Sequence, residues 1–125
     1  MARRLQKDGR ASYHSRMPVI YHLVLPTAWQ EKPADAFGAS SLADEGFIHC
    51  SFADQVARSA NRFYADASAL LVLTIDTTRL TSPLREELAS NGQHFPHVYG
   101  PINRDAVTAV VPMTRGSDGR WQFGH

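Results

Sequence analysis

The chain is organised around one segment, Ser41-Leu42-Ala43-Asp44-Glu45-Gly46-Phe47-Ile48-His49-Cys50-Ser51. Its first half has the composition of a short helical turn ended by a glycine, and residues 47–51 are predicted to form a strand. Because side chains alternate along a strand, His49 and Ser51 lie on one side. The other side carries Ile48 and Cys50, which we expect to face the core. The segment therefore predicts a candidate site on its outward side.

The composition is that of an ordinary globular protein. Of the 125 residues, 43% are hydrophobic and 20% are charged, which is typical of one folded domain. The longest apolar runs, residues 19–26 and 67–75, are too short to span a bilayer, so we expect no membrane partner. A single cysteine cannot build a disulfide framework, and this usage favours a cytoplasmic location.

The net charge of +1 conceals a basic amino-terminal segment. Residues 1–16 hold five basic side chains and one acidic side chain. Such a segment can contact RNA or a membrane surface, but its lack of apolar periodicity favours a disordered, solvated extension. We therefore expect one folded domain over residues 17–113, followed by a carboxy-terminal tail over residues 114–125 that is mobile apart from Trp121 and Phe123.

The remaining pattern predicts more strands than helices. Residues 70–75 are apolar except for Thr74, so this strand is expected to be central and covered on both faces. Pro96 and Pro101 indicate that residues 94–101 form an edge or irregular strand. Because the helices cluster early and do not alternate with strands, the pattern indicates an α+β fold. We expect small mixed or antiparallel sheets with two to three helices.

The main helix is predicted to follow Ser51. The spacing of Ser51 and Asp54 is that of a helix-start cap. Val56, Ala60 and Phe63 then recur at helical spacing, which predicts one buried stripe. Ser51 is therefore interpreted first as a capping residue and second as a contact for phosphate or ribose hydroxyl groups.

Histidine and aromatic residues occur together in three predicted strand segments. These are Tyr21-His22, Phe47 with His49, and Phe95 with His97 and Tyr99. Neutral imidazole donates or accepts hydrogen bonds and titrates near neutral pH, so several histidines in one cleft can orient a polar ligand or move protons. The alternative is that each histidine is half-buried and bonded to a backbone carbonyl.

Metal and nucleophile chemistry have weaker support in the sequence. The one close histidine pair, His94 and His97, has Pro96 between its members, so it does not form a helical zinc motif and we expect no metal. Cys50 is expected to be a buried structural thiol rather than a nucleophile. Ser51 lacks the Gly-x-Ser-x-Gly elbow of a nucleophilic serine.

Charged residues near the predicted cleft could contact a ligand. Arg62 and Tyr64 follow the helical stripe, and an arginine fork recognises phosphate well. Glu86 and Glu87 are adjacent carboxylates that could supply a general base or a ribose ligand. The alternatives are a surface cation and two solvated acids.

The chain resembles a small bacterial family catalogued as domain of unknown function 952. The resemblance rests on four motifs: Ile20-Tyr21-His22, residues 41–51 with Gln55, Asn61-Arg62-Phe63-Tyr64, and Phe95-Pro96-His97-Val98-Tyr99-Gly100-Pro101. It covers residues 19–112 in order. The family brings no established reaction.

A more distant resemblance links the chain to the NAD-binding half of ADP-ribosyltransferases, and especially to the RNA 2′-phosphotransferase branch. That resemblance implies a split sheet in which His22 contacts the adenosine ribose or the nicotinamide amide. It also implies that His49 and Ser51 line the same NAD pocket. The chain departs from the pattern where Leu23-Val24 replaces Gly-Thr, and no catalytic glutamate is assigned by the resemblance.

These observations together predict a domain that binds NAD or a related nucleotide in a histidine-lined cleft, with RNA as a further partner if it transfers ADP-ribosyl or 2′-phosphate groups. Two alternatives stay open: a non-enzymatic module that binds a nucleotide or protein, and an enzyme that acts on a small phosphorylated metabolite. The oligomeric state is not predicted. The predicted catalytic residues are His22, His49, His97 and Glu86, and the predicted ligand-binding residues are Tyr21, Ser51, Arg62, Tyr64 and Tyr99.

Overall fold

The computed structural model describes residues 18–32 and 35–124, and the predicted basic extension over residues 1–16 lies outside them. The fold is α+β with small antiparallel sheets and few helices, which confirms the predicted fold class. The helices are α1 (Pro26–Gln30), α2 (Ser40–Glu45) and α3 (Val56–Phe63). The strands are β1 (Val19–Val24), β2 (Ala36–Phe37), β3 (Ile48–His49), β4 (Leu71–Asp76), β5 (Leu84–Leu88), β6 (His94–Val98), β7 (Ile102–Asn103), β8 (Val107–Pro112), β9 (Thr114–Arg115) and β10 (Trp121–Gln122).

The first three-stranded sheet has the order β1-β4-β8, and both pairings are antiparallel. Its middle strand, β4, is covered on both faces, as the apolar run predicts. Leu73 packs in one core cluster and Val72 in a second cluster, and their exposed fractions are 0% and 1%. The central strand therefore separates two apolar cores.

The second three-stranded sheet has the order β3-β6-β5, again antiparallel. The prediction of an edge strand around Pro96 is wrong, because β6 lies between two neighbours. Proline is tolerated there because β3 pairs only with His97 and Val98. At Pro96, which has no N–H to donate, the carbonyl oxygen accepts a hydrogen bond from Cys50 at 3.0 Å.

Ser51 joins the two sheets. Its N–H donates to the Tyr21 carbonyl at 2.8 Å, and the Tyr21 N–H donates to the Ser51 carbonyl at 2.9 Å. The predicted cap is therefore wrong: Phe52 precedes the short 3-10 turn Ala53–Gln55, and its N–H donates to Gln55 Oε1 at 3.0 Å. The backbone of Ser51 is committed to sheet pairing, and its side chain is buried.

Helix α3 buries two of the three residues of its predicted stripe. Val56 and Ala60 are fully buried, whereas Phe63 is 68% exposed. The prediction for Phe63 is wrong because the hairpin β9–β10 packs on a different side of the helix, where Asn61 lies. The Asn61 side chain accepts from the Trp121 N–H at 2.8 Å and donates to the Trp121 carbonyl at 3.0 Å.

The segment expected to be a tail contains this hairpin. Trp121 is 4% exposed and donates its indole N–H to the Tyr64 carbonyl at 2.7 Å. The Phe123 ring packs edge-on against Tyr21, with 5.0 Å between ring centroids. Residues 114–123 thus extend the second core cluster. Among the helices of residues 18–32 and 35–124, none is long and apolar enough to cross a bilayer.

Candidate functional site

Strand alternation gives the β3-β6-β5 sheet two different faces. One face is apolar: Ile48, Pro96 and Val98 are each less than 2% exposed and pack into the core. On the other face, His49 lies opposite His97, and His97 lies opposite Arg85. We call this side the histidine face; its residues are Glu45, Phe47, His49, Arg85, Glu87, His97 and Tyr99.

Two imidazole rings form the centre of the histidine face. The rings of His49 and His97 contact each other edge to face, with 5.2 Å between centroids and an angle of 82°. They differ in exposure, because the His49 side chain is 53% exposed and that of His97 is 12% exposed. The pair thus combines one solvent-accessible imidazole with one that is nearly enclosed.

Each imidazole is hydrogen-bonded to its own carboxylate. His49 Nε2 lies 2.6 Å from Glu45 Oε1, and His97 Nδ1 lies 2.7 Å from Glu87 Oε1. Because a carboxylate only accepts hydrogen bonds, these nitrogens carry the protons. The opposite nitrogens, His49 Nδ1 and His97 Nε2, are then the ones left to accept or release a proton.

The turn between α2 and β3 places Glu45 beside His49. Gly46 adopts a left-handed backbone conformation with φ of 88°, and its N–H donates to the Leu42 carbonyl at 3.0 Å. A side chain is strained in that conformation, so glycine is the residue suited to end α2 there. The chain reverses within this turn, and the last residue of the helix meets the strand that follows.

Glu87 accepts a second hydrogen bond, from a hydroxyl group, besides the one from the His97 imidazole. The Tyr99 hydroxyl donates to the same Oε1 atom at 2.5 Å. The hydrogen bond from Tyr99, followed by that from His97, lowers the pKa of Glu87 below its ordinary value. The same hydrogen bond to Glu87 raises the pKa of Tyr99. Glu87 is therefore an anion at neutral pH that fixes the orientation of His97.

Aromatic rings and one guanidinium group surround the imidazoles. Phe47 stacks on His97 at 4.2 Å between centroids and lies 5.2 Å from Tyr99. The Arg85 guanidinium lies 5.0 Å from the Tyr99 ring centroid. The face therefore offers a flat apolar surface, a cation and two oriented imidazoles within one patch.

His22 lies beneath this patch rather than on it. It is 8% exposed, and its Nδ1 lies 2.6 Å from the carbonyl oxygen of His49. Since a carbonyl only accepts, His22 donates this hydrogen bond. Burial lowers the pKa of His22 to about 4, so the ring is neutral at physiological pH. Its place on the side of β1 that carries Ile20 and Val24 is the sequence signal for this burial.

The other predicted site residues lie away from the histidine face. Glu86 points to the opposite side of the hairpin, where its carboxylate lies 3.9 Å from His94 Nδ1. Arg62 and Tyr64 line a separate groove of about 820 Å³ at the end of α3. Tyr21 packs against the second core cluster. The structure thus brings together three of the predicted residues: His49, His97 and Tyr99.

Two charged residues of the face, Glu45 and Arg85, were missing from the predicted site, and Glu87 was named only beside Glu86 as a candidate base or ribose ligand. Glu45 could have been found from its position four residues before His49, across a helix-ending glycine. Glu87 and Arg85 share strand parity, but their meeting with His97 depends on the register of β5 against β6, which spacing alone does not give.

The remaining predictions concern metal and thiol chemistry. Among residues 18–32 and 35–124, no three histidine, cysteine or carboxylate side chains are grouped so that they could hold a metal ion. Cys50 is 3% exposed, and burial raises its pKa well above the ordinary value. Its thiol is a core group, as the strand alternation predicts.

Solved structures of protein CC0527 from Caulobacter crescentus are similar to this chain. The X-ray crystal structure is 27% identical in sequence, with a TM-score of 0.74, over 83% of this chain and 93% of CC0527. The solution NMR structure is 27% identical with a TM-score of 0.71, over 85% of this chain and 93% of CC0527. None of the curated proteins matches the chain.

One family model matches residues 23–110, and the family is described as a protein of unknown function, DUF952. The matched range runs from the end of β1 into β8 and includes every residue of the histidine face. This match confirms the family indicated by the sequence motifs. The chain belongs to the DUF952 family.

Proposed function

We propose that the histidine face is a general acid–base site that acts on a small nucleotide or another phosphorylated metabolite. The observation that carries this proposal is the contact between His49 and His97, each of which is hydrogen-bonded to its own carboxylate. Paired carboxylates hold imidazoles in one tautomer, which is what proton transfer to a bound substrate requires.

The two imidazoles supply complementary proton-transfer roles. When one ring is neutral and the other is protonated, the neutral ring takes a proton from an attacking hydroxyl or water. The protonated ring gives its proton to the oxygen that leaves phosphorus, so charge and protons balance. The nearly enclosed His97, oriented by Glu87, suits the first role, and the exposed His49 suits the second because it exchanges protons with solvent.

The surroundings of the histidines support an anionic substrate with a planar group. Both carboxylates already accept hydrogen bonds from the imidazoles, and the Arg85 guanidinium adds a positive charge to the face, 5.0 Å from the Tyr99 ring centroid. A guanidinium fork suits phosphate oxygens. Phe47 and Tyr99 offer ring surface on which a base can stack.

A second candidate is an NAD-dependent transfer of ADP-ribosyl or 2′-phosphate groups. One observation favours it: Glu87 is an anion next to the aromatic rings, where it could stabilise positive charge on ribose as the nicotinamide bond breaks. In that reaction Glu87 takes the role predicted for Glu86, and His22 supports the backbone of His49 instead of contacting NAD. An RNA end is then the acceptor.

A ligand panel distinguishes the two candidates and tests both. The folded protein is titrated with adenosine monophosphate, a cyclic nucleotide, NAD, ADP-ribose and an RNA end that carries a 2′-phosphate, each at up to about 5 mM. Binding is followed by amide NMR shifts, phosphodiester turnover by phosphorus NMR, and NAD cleavage by nicotinamide release.

We expect shifts at Phe47, His49, Arg85 and His97, together with turnover of the cyclic nucleotide. Nicotinamide release without phosphodiester cleavage would instead establish the NAD-dependent candidate. Binding without any turnover would identify a non-enzymatic nucleotide module. If no member of the panel perturbs the histidine face, both proposals are wrong.

A further inference from the structure

A second cavity lies on the opposite side of the β5–β6 hairpin from the histidine face. It has a volume of about 450 Å³ and lies between the tip of the hairpin and the start of α3. We call it the polar cleft, because every lining residue is polar or charged: Asp54, Gln55, Arg58, Glu86, Gln93 and His94. A cavity lined only by polar and charged residues selects a small hydrophilic ligand rather than a lipid or an aromatic compound.

Gln55 holds the two walls of the polar cleft together. Its side chain is buried, with Oε1 accepting from the Phe52 N–H at 3.0 Å and Nε2 donating to the His94 carbonyl at 2.8 Å. These bonds tie the turn before α3 to the first residue of β6. The cleft is consequently part of the folded framework rather than a gap between loose segments.

The cleft contains opposite charges that are available to a ligand. The side chains of Asp54 and Arg58 make no hydrogen bond or ion pair with another residue in the described part of the chain, 18–32 and 35–124. A third charged group, Glu86, lies 3.9 Å from His94. The cleft therefore presents an available guanidinium, an available carboxylate and a second carboxylate within one cavity.

Gln93 adds a polar atom that lacks a partner. Its Oε1 is buried, and it is the one buried side-chain nitrogen or oxygen atom without a hydrogen bond among the residues that the structure describes. Buried acceptors are rarely left unpaired in folded proteins. Because Gln93 lines the cleft, this oxygen is a candidate acceptor for a ligand N–H.

We propose that the polar cleft binds a small zwitterion of the α-amino-acid class. The ligand carboxylate would pair with Arg58, and its ammonium group would lie between Asp54 and Glu86, with one N–H available to Gln93. A zwitterion matches the cleft because it neutralises both unpaired charges at once, whereas an anion or a cation alone leaves one of them facing a like charge. This site is independent of the histidine face, which lies on the other side of the hairpin.

The test is an NMR titration of the full chain with the standard L-α-amino acids, each at up to about 10 mM. The tightest ligand is then compared with its N-acetyl and methyl-ester derivatives, which remove one charge each. We expect amide shifts at residues 54–58 and 93–94, and at least about tenfold weaker binding of each derivative.

Three variants complete the experiment. Arg58→Gln and Asp54→Asn are each expected to weaken binding at least about tenfold. Arg62→Gln, one turn further along α3 and outside the cleft, serves as the matched control and should bind as the unmodified chain does. All three residues are exposed, and an amide spectrum of each variant verifies its fold.

Several results would overturn the proposal: no amino acid binding in this range, shifts confined to the histidine face, or derivatives that bind as tightly as the parent. Loss of binding in only one of the two cleft variants would also overturn it, because a zwitterion requires both charges. Binding that depends on both charges, with the control unaffected, would establish the site.

Discussion

His22 and the pair formed by His49 and His97 show how the surroundings give one side-chain type two roles. His22 is buried on the side of β1 that also carries Ile20 and Val24. It donates one hydrogen bond to the carbonyl of His49. The pair lies on a sheet face, and each member contacts a carboxylate. Burial lowers the pKa of the His22 ring, so the ring is neutral and its role is structural. The pair keeps nitrogens that can exchange protons.

The buried His22 and the histidine pair are connected, but changes at the two places should have different effects. His22 and the pair are linked through the backbone of His49, because its carbonyl accepts from His22 while its ring contacts His97. A change at His22 should therefore act on stability first, and a change at His97 should act on chemistry first.

His97→Gln should reduce turnover at the histidine face by about 10²–10⁴-fold, because a general acid or base contributes about this much. The free energy of unfolding should change only modestly, since glutamine keeps a side-chain N–H that can donate to Glu87. The measurement is steady-state kinetics on the cyclic nucleotide alongside urea unfolding. His94→Gln is the matched control, since His94 is exposed and lies in the polar cleft. Equal activity of the two variants would contradict the assignment of His97.

His22 should make the protein less stable as the pH falls from about 6.5 to about 4. In that range the unfolded chain binds a proton at this position and the folded chain does not, so acid favours unfolding. The lost stability should reach about 3 kcal/mol and level off below the folded pKa.

Urea unfolding as a function of pH measures this effect, with His22→Gln as the comparison. Carboxylates contribute to acid unfolding in both proteins, so the difference between the two pH profiles isolates His22. If the two stability profiles are parallel between pH 4 and pH 6.5, the assignment of His22 as a buried neutral ring is wrong.

The adjacent glutamates Glu86 and Glu87 should differ in their effect on activity. Glu87→Gln removes the anion that orients His97, and we expect turnover to fall on the order of tenfold to a hundredfold. Glu86→Gln should leave turnover nearly unchanged, because that carboxylate lies in the polar cleft. A larger loss in the Glu86 variant would restore the original sequence-based assignment and remove Glu87 from the site.

Tyr99→Phe should have the smallest effect. It deletes the hydroxyl that donates to Glu87, so the pKa of Glu87 should rise toward its ordinary value. Stability at neutral pH should change little, since only one solvent-accessible hydrogen bond is lost. Carboxylate NMR titration measures the pKa, and an unchanged value would mean that the Tyr99 hydroxyl does not lower the pKa of Glu87.

Local sequence patterns predicted much of the fold. The apolar run over residues 70–75, in which Thr74 is the one polar residue, identified the central strand, because strands covered on both faces are apolar along most of their length. Alternation over residues 47–51 correctly separated Ile48 and Cys50 from His49. The motifs around residues 41–51 and 95–101 identified the family. In each case the information lies within a few neighbouring residues.

The incorrect predictions involve pairings between distant segments. Ser51 has the local spacing of a helix cap, but its backbone pairs with Tyr21, thirty positions earlier in the chain. Pro96 is typical of an edge strand, yet it lies in the central strand of its sheet. Proline is tolerated there because the neighbouring strand β3 has only two residues. Phe63 continues the helical stripe, but the hairpin that covers the helix packs on another side. Local sequence propensity carries no information about which distant segments pair with these residues.

For this protein, the sequence by itself determined the α+β class, the buried central strand, the core position of Cys50 and the outward direction of His49. These follow from side-chain periodicity, which depends only on backbone geometry over a few residues. The tertiary structure alone decided that His49 meets His97, that Glu87 rather than Glu86 orients His97, and that His22 is neutral. Those outcomes depend on strand register and on burial, and both are set by contacts between segments far apart in the chain.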